Sequence, residues 1–119
     1  MGVLSRFIFH KRDFTGPRAK PGAFLPQPKV LKTSAFWIDD LSPDEIWHIG
    51  DEVAGKPRGL ASIARADLES TCLPNLKLHV ELDPTPHPRH VDICGWPAEK
   101  AEQKAIALEL CHSATLKVR

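Results

Sequence analysis

At 119 residues, 42% apolar and 26% charged, the chain suits one globular domain that buries roughly 65–70% of its unfolded surface, which excludes a chain disordered throughout. No run of 18 apolar residues occurs, and this excludes a membrane-spanning helix. The net charge of +1 conceals a segregation: residues 1–32 hold seven Lys/Arg against Asp13 alone, whereas residues 33–52 hold six acids and no Lys or Arg.

Residues 4–10 read as a short strand with Phe7 and Phe9 on one face and Ile8 on the other. Phe7-Ile8-Phe9 is too short for a signal-peptide core, and Arg6 stands where a myristoylation signal starting at Gly2 needs a hydroxyl. Gly16-Pro17, Pro21-Gly22, Pro26 and Pro28 then bar regular structure over 14–32, with Phe24 and Leu25 as the anchor to the body. The chain thus divides into a basic, proline-rich arm with a short strand, 1–32, and a single α+β domain, 33–119. The charge of the arm suits docking against the acidic stretch 39–52 or against a partner of opposite sign.

Residues 34–38 are apolar enough for a buried strand. Ser42-Pro43-Asp44-Glu45 is the clearest helix start: Ser42 as N-cap, Pro43 at the first helical position, Glu45 closing a capping box, both acids at the positive end of the dipole. Ile46, Ile49, Gly50 and Val53 make one buried stripe, Trp47 adds to the core, His48 faces solvent, and Gly55 ends the helix. Residues 60–66 fit both periods and read best as a strand followed by a short helix capped by Asp67. Pro74-Asn75 makes a turn, after which 76–82 alternate cleanly, with Leu76, Leu78, Val80 and Leu82 inward and Lys77, His79 and Glu81 outward. A stiff loop of three prolines, Pro84, Pro86 and Pro88, leads to a strand at 90–94. Gly95-Trp96-Pro97 then turns the chain into a C-terminal helix whose apolar face is Ile106, Ala107, Leu110 and Cys111. The sum is an α+β fold: a small mixed, mainly antiparallel sheet covered on one face, with two longer helices and one short helix.

Several chemistries can be weighed on these elements. Gly50 to Lys56 has the spacing of a phosphate-binding loop, but Pro57 replaces the required hydroxyl and a helix rather than a strand precedes it. Cys72, Cys94 and Cys111 lack paired spacing, and with no export signal they point to a reducing cytoplasm. His87, His90 and Cys94 look like zinc ligands by count. On an extended strand, however, His90 and Cys94 stand about 13 Å apart, too far for one tetrahedral ion. No metal and no cofactor is expected.

His90 and Asp92, two apart on a strand, share a face, and a carboxylate beside an imidazole is how a general base is assembled. Arg65 and Asp67 repeat that alternation on a neighbouring candidate strand, and Arg89 offers a bidentate grip on phosphate or carboxylate. The ligand- or partner-binding set is therefore Arg65, Asp67, His87, Arg89, His90 and Trp96. The catalytic candidates are His90, Asp92 and Arg65. Trp96 has two readings, as the packing cap of the last helix and as a stacking platform. The basic arm, with Phe7, Phe9, Phe14 and Phe24 among its cations, suits nucleic acid, although the near-neutral whole chain disfavours it.

The segments Lys20-Pro21, Ala23-Phe24-Leu25-Pro26, Leu41, Glu45-Ile46-Trp47, Ala64-Arg65-Ala66-Asp67-Leu68 and His90-Val91-Asp92-Ile93-Cys94-Gly95-Trp96-Pro97 together resemble a group of short bacterial proteins of unknown function from accessory or mobile gene pools. The resemblance covers most of the chain from residue 20 onward. It implies a bacterial, cytoplasmic, stand-alone domain and carries no activity, cofactor or catalytic residue.

The expected role is a small accessory or binding domain that recognises a protein partner or a small anionic ligand through the edge at 83–92. The alternatives are a small enzyme with His90 as general base and Arg65 or Arg89 as anion grip, and nucleic-acid binding through the arm. An enzyme requires a pocket that brings His90, Asp92 and an arginine together; a binding module requires an exposed face. An uncovered sheet edge also suits pairing with a second copy of the chain, and no membrane partner is expected.

Overall fold

The N-terminal strand carries apolar residues at adjacent positions, so pleating sends Leu4 and Ile8 to one face and Phe7 and Phe9 to the other. Such a strand needs cover on both sides. In the computed structural model, which describes residues 2–73 and 76–119, it has that cover.

In chain order, β1 (Val3–Ile8) leads through a 3-10 turn at Lys11–Asp13 to the two-residue strands β2 (Phe14–Thr15) and β3 (Arg18–Ala19), a second 3-10 turn at Pro21–Ala23, and β4 (Thr33–Trp37). Helix α1 (Pro43–Ala54), β5 (Gly59–Ala64), helix α2 (Arg65–Ser70), β6 (Cys72–Leu73) and β7 (Leu76–Lys77) follow. The chain closes with β8 (His79–Leu82), β9 (His90–Cys94), helix α3 (Lys100–Ser113) and β10 (Thr115–Val118). The main sheet has the order β10-β5-β1-β4-β9-β8, and every neighbouring pair is antiparallel. The α+β class is as expected, but the sheet contains no parallel pair among the described residues.

Both faces are covered, against the expectation of one. On the first face Leu4, Ile8, Ala61, Ile63, Val91 and Ile93 pack beneath α2, α3 and the segment around Phe24. On the second, Phe7, Phe36 and Leu60 pack beneath Ile46 and Ile49 of α1, and the Phe7 and Phe36 rings are 5.3 Å apart. The boundary drawn at residue 32 therefore dissolves. β1 lies between β5 and β4, and Phe24 is wholly buried. Burial of a side chain that size is worth about 1.5–3 kcal/mol, and the Thr33 hydroxyl donates to the Phe24 carbonyl at 2.8 Å.

Helix α1 starts as its sequence dictates. The Ser42 hydroxyl accepts from the Glu45 N–H at 3.2 Å, and the Glu45 carboxylate accepts from the Ser42 N–H at 3.0 Å. Trp47 is partly buried beside the second core, His48 is exposed, and Gly55 ends the helix at φ +74°. Gly50 is the point of closest approach to the sheet. A Cβ there would lie 2.7 Å from Pro57 and 2.8 Å from the Phe7 ring.

Other expectations shift. β5 stops at Ala64, opposite Val3 at the start of β1. The Arg65 N–H donates to the Gly2 carbonyl, and the chain turns into α2. Arg65 and Asp67 are thus helical rather than alternating on a strand, and Asp67 lies in the first turn rather than at the cap. The strand expected over 76–82 divides between β7 and β8. Leu78 and Val80 are buried, but Leu82 is 58% exposed, because β8 is an edge strand. The turn expected at Pro74-Asn75, and the inward side chain of Leu76, lie outside the described residues. Helix α3 begins three residues after Pro97, whose carbonyl accepts from the buried Gln103 side chain at 2.7 Å. β10 was not expected at all.

The charge segregation resolves differently from a docked arm. No ion pair among the described residues joins a Lys or Arg of 1–32 to an acid of 39–52. Asp51 instead binds Arg119 through two bonds of 2.6 and 2.8 Å. Asp39 accepts from the main-chain N–H groups of Gly2 and Val3 at 2.9–3.2 Å. Burial pushes the Asp39 carboxyl up, but these N–H groups outweigh it, so the pKa lies below its ordinary value.

Two predictions follow from this packing. Ala normally favours a helix interior over Gly by about 1 kcal/mol, yet Gly50→Ala is expected to destabilise the protein by about 1–3 kcal/mol through overpacking against Phe7 and Pro57. Urea denaturation reads the sign, and a stabilised variant contradicts the close approach. A carboxylate held low in the folded state adds stability above its unfolded pKa and loses it as pH falls through the folded pKa. Asp39→Asn is therefore expected to lower the urea midpoint at neutral pH and to leave it unchanged near pH ~2; an equal loss at both contradicts an ionic origin.

Candidate functional site

The connection between β8 and β9 is held shut by main-chain bonds. The Asp83 N–H donates to the His90 carbonyl at 3.1 Å, and the His90 N–H donates to that of His87 at 2.9 Å. The Thr85–Pro86 peptide is cis. The hairpin delivers His90 and Asp92 to one face of β9, as alternation requires, with Nε2 and Oδ1 3.9 Å apart. Pairing with β4 then sets Phe36 opposite His90 and Ser34 opposite Asp92.

His90 is buried at 6% exposure and both ring nitrogens are used. Nδ1 lies 2.8 Å from the Asp83 carbonyl oxygen. A carbonyl can only accept, so Nδ1 carries the proton and the Nε2 of a neutral ring accepts. The Ser34 hydroxyl, 2.5 Å from Nε2, is then the donor. The carboxylates of Asp83 and Asp92 flank the ring at 3.7 and 3.9 Å. Burial, assisted by Asp83 and opposed by His90, raises the pKa of Asp92. A hydroxyl on the basic nitrogen of an imidazole whose other nitrogen is oriented by an acceptor is the arrangement that activates a nucleophile.

Beside this pair the sheet opens. The β1–β4 register runs only through Leu4↔Trp37 and Ser5↔Phe36. The Ile38 N–H donates to the Val3 carbonyl, so by alternation the main-chain groups of Ser34 also face β1. The next hydrogen-bonded pair of the ladder, two residues on, would be Phe7 with Ser34. Arg6 takes that place: its Nη1 donates to the Ser34 carbonyl at 2.6 Å and its Nε to the Ala23 carbonyl at 2.7 Å. Burial lowers the pKa of this guanidinium, with Asp13 pulling the other way. Among the described residues no carboxylate lies within ion-pair distance of it. Arg6, Phe7, Phe9, Ser34, Phe36, Val53 and Pro86 line a slot of about 140 Å³ at this gap.

The other expected site residues are elsewhere. Arg89 stacks on Trp37, 3.9 Å from the ring centre, and donates to the carbonyls of Trp37 and Asp39. His87 accepts from the Arg89 N–H at 3.0 Å, and its Nε2 is 3.9 Å from Glu52; with Arg89 it borders a separate groove against α1. Arg65 is paired with Glu69, and Asp67 accepts from the Ser70 and Thr71 hydroxyls through its carbonyl. Both ride on α2, which packs on the opposite face through Leu68. Trp96 is buried in the first core, so it packs rather than offering a platform. Phe7 and Phe24 are buried likewise, which removes two of the arm's four aromatic rings from base stacking. Sequence reasoning placed Arg6 only among the cations of the basic arm and missed Ser34. The available signal was that Arg6 is the one charged residue in the strand Val3–Ile8.

Farther along the same face, β8 and β9 bring a second cluster together. His79 is opposite Cys94 and Glu81 is opposite Asp92. His79 Nε2 is 2.8 Å from the Glu81 carboxylate, and burial, with Glu81 nearby, pushes the Cys94 thiol up to about 11. Among the described residues, two sets of side chains have donor atoms close enough for one metal ion: Asp83, His90 and Asp92, and His79, Glu81 and Cys94. In the first, both nitrogens of His90 are already committed. The expectation of no metal compared His90 with Cys94 along one strand and did not consider neighbours across the ladder. No family model, curated protein or solved structure matches this chain.

The hydrogen-bond pattern predicts that neutral His90 is the Nδ1–H tautomer, readable from long-range ¹H–¹⁵N correlations of the imidazole. An Nε2–H ring would reverse the Ser34 contact and contradict the arrangement described.

Proposed function

We propose that the chain binds a small anionic ligand with a short apolar body in the slot between β1 and β4. The observation that carries this reading is Arg6, a half-buried guanidinium with two neutral carbonyl partners and, among the described residues, no carboxylate within ion-pair distance. Taking a charge partly out of water without an opposite charge beside it is unfavourable, and an anion in the slot offsets that cost. The three phenylalanines and Val53 supply the apolar wall. The loop at 83–92 contributes Pro86 to the wall and His90 behind Ser34, so the edge proposed from the sequence is kept, with Arg6 replacing Arg65 and Arg89 as the anion grip.

A second reading is favoured by the contact between Ser34 and His90. With Nε2 free to take its proton, Ser34 Oγ can attack an acyl or phosphoryl centre held in the slot, while Arg6 faces the negative charge that develops. The proton passes to His90 and the leaving group departs with the displaced electron pair. This retains His90 as general base and makes Ser34 the nucleophile.

Titrating acetate, benzoate and inorganic phosphate into ¹⁵N-labelled protein tests the binding reading. Benzoate is expected to move the Arg6 Nε–H and the Ser34 and Phe36 amide signals, and Arg6→Gln to weaken it about tenfold or more, the worth of a hydrogen bond to a charged group. Shifts confined to the exposed cations Lys11, Arg12 and Arg58, or none, contradict it. For the second reading, a fluorophosphonate is expected to add one covalent group at Ser34, identified by peptide mass, and to add none in His90→Asn. An unlabelled Ser34 ends that reading while leaving binding intact.

A further inference from the structure

The cluster on β8 and β9 offers three different donor atoms at one point of the sheet. His79 and Glu81 are two apart on one strand and so share a face, while Cys94 stands directly across the ladder from His79. An imidazole nitrogen, a carboxylate oxygen and a thiol sulfur from these residues all lie within 4.8 Å of one another. Around a tetrahedral ion with bonds of about 2.0–2.3 Å, neighbouring donors are roughly 3.3–3.8 Å apart, so small rotations of the two rim side chains suffice. Cys94 forms a buried floor, whereas His79 and Glu81 have side-chain exposures of 55% and 56%. The outer side is therefore open to solvent.

The backbone is shaped to bring these groups close. Gly95 follows the cysteine at φ +91°, and a Cβ there would lie 2.4 Å from the Lys77 carbonyl and 3.3 Å from His79 Nδ1. Only glycine lets the chain after Cys94 pass this near to the histidine.

We propose that His79, Glu81 and Cys94 bind one divalent transition-metal ion of the zinc class, with solvent completing the coordination. The mixed nitrogen, oxygen and sulfur set selects borderline ions such as zinc and cobalt over calcium and magnesium, which take oxygen ligands. Binding requires the thiol to release its proton, after which the cation lies between thiolate and carboxylate and removes their repulsion. The site is independent of the slot: none of its ligands line that cavity, and an extended strand separates Cys94 from His90 by about 13 Å.

Cobalt(II) titrated into the reduced full chain tests this. The expected result is one equivalent bound, with visible d–d bands of tetrahedral strength and a near-ultraviolet thiolate-to-cobalt charge-transfer band, all bleached by zinc. Cys94→Ser is expected to lose the charge-transfer band, whereas Cys72→Ser and Cys111→Ser keep it. Because Cys94 is buried, the exposed variants His79→Ala and Glu81→Gln provide the parallel test. Each is expected to weaken binding about tenfold or more with an unchanged circular dichroism spectrum. Absence of the charge-transfer band, its persistence in Cys94→Ser, or unaltered affinity in both exposed variants would overturn the proposal.

Discussion

The Arg6 guanidinium stands where β1 and β4 would otherwise continue their ladder, and the second half of the structure is arranged around that substitution. Its two bonds, to the carbonyls of Ser34 and Ala23, tie a central strand, its neighbour and the irregular segment that follows β3. Hydrogen bonds from a charged donor are worth about 1.5–3 kcal/mol each, which only partly offsets taking a cation out of water. The same bond that fills the gap fixes the Ser34 main chain, and through it the hydroxyl that meets His90. Without Arg6 the strands would either zip together and erase the slot or part and expose the core beneath Phe24.

The two faces of the sheet divide the work. The first is apolar across its width and is covered by α2, α3 and the segment around Phe24. The second is apolar only where α1 lies on Phe7, Phe36 and Leu60. Helix α1 is 12 residues long, about 18 Å at 1.5 Å per residue, and its stripe does not reach β8. The uncovered end of β8 and β9 can therefore carry His79, Glu81, Asp92 and Asp83. Polar chemistry collects there because α1 ends, and it is held in place by a ladder that is rigid from beneath.

Local rules read several elements correctly from the chain alone. The Ser42–Glu45 capping box, the stripe of Ile46 and Ile49, the left-handed Gly55 and the shared face of His90 and Asp92 all depend on residues within one or two turns of each other. Where reading failed, the cause was a partner distant in sequence. Residues 65–67 leave the sheet where the β1–β5 ladder stops, at the Val3↔Ala64 pair. Leu82 is exposed because β8 has no neighbour on its outer side. β10 could not be read because its four residues gain their stability from pairing with β5, not from their own pattern.

The candidate site shows the same division. Alternation along β9 was enough to associate His90 with an acid, and the proline-rich loop was enough to mark its surroundings as stiff. That Ser34 donates to His90 follows from the β4–β9 register, and that Arg6 faces the slot follows from where the β1–β4 ladder stops; neither register is written in local sequence. The metal ligands join the set for the same reason, since His79 and Cys94 are 15 positions apart in the chain and adjacent only across the hairpin. The primary structure thus determined the α+β class, the start and end of α1 and the side of β9 on which chemistry can occur. The choice of Arg6, Ser34 and Cys94 as partners belongs to the folded sheet, because cross-strand neighbours are set by long-range pairing free energy and not by any residue's own preference.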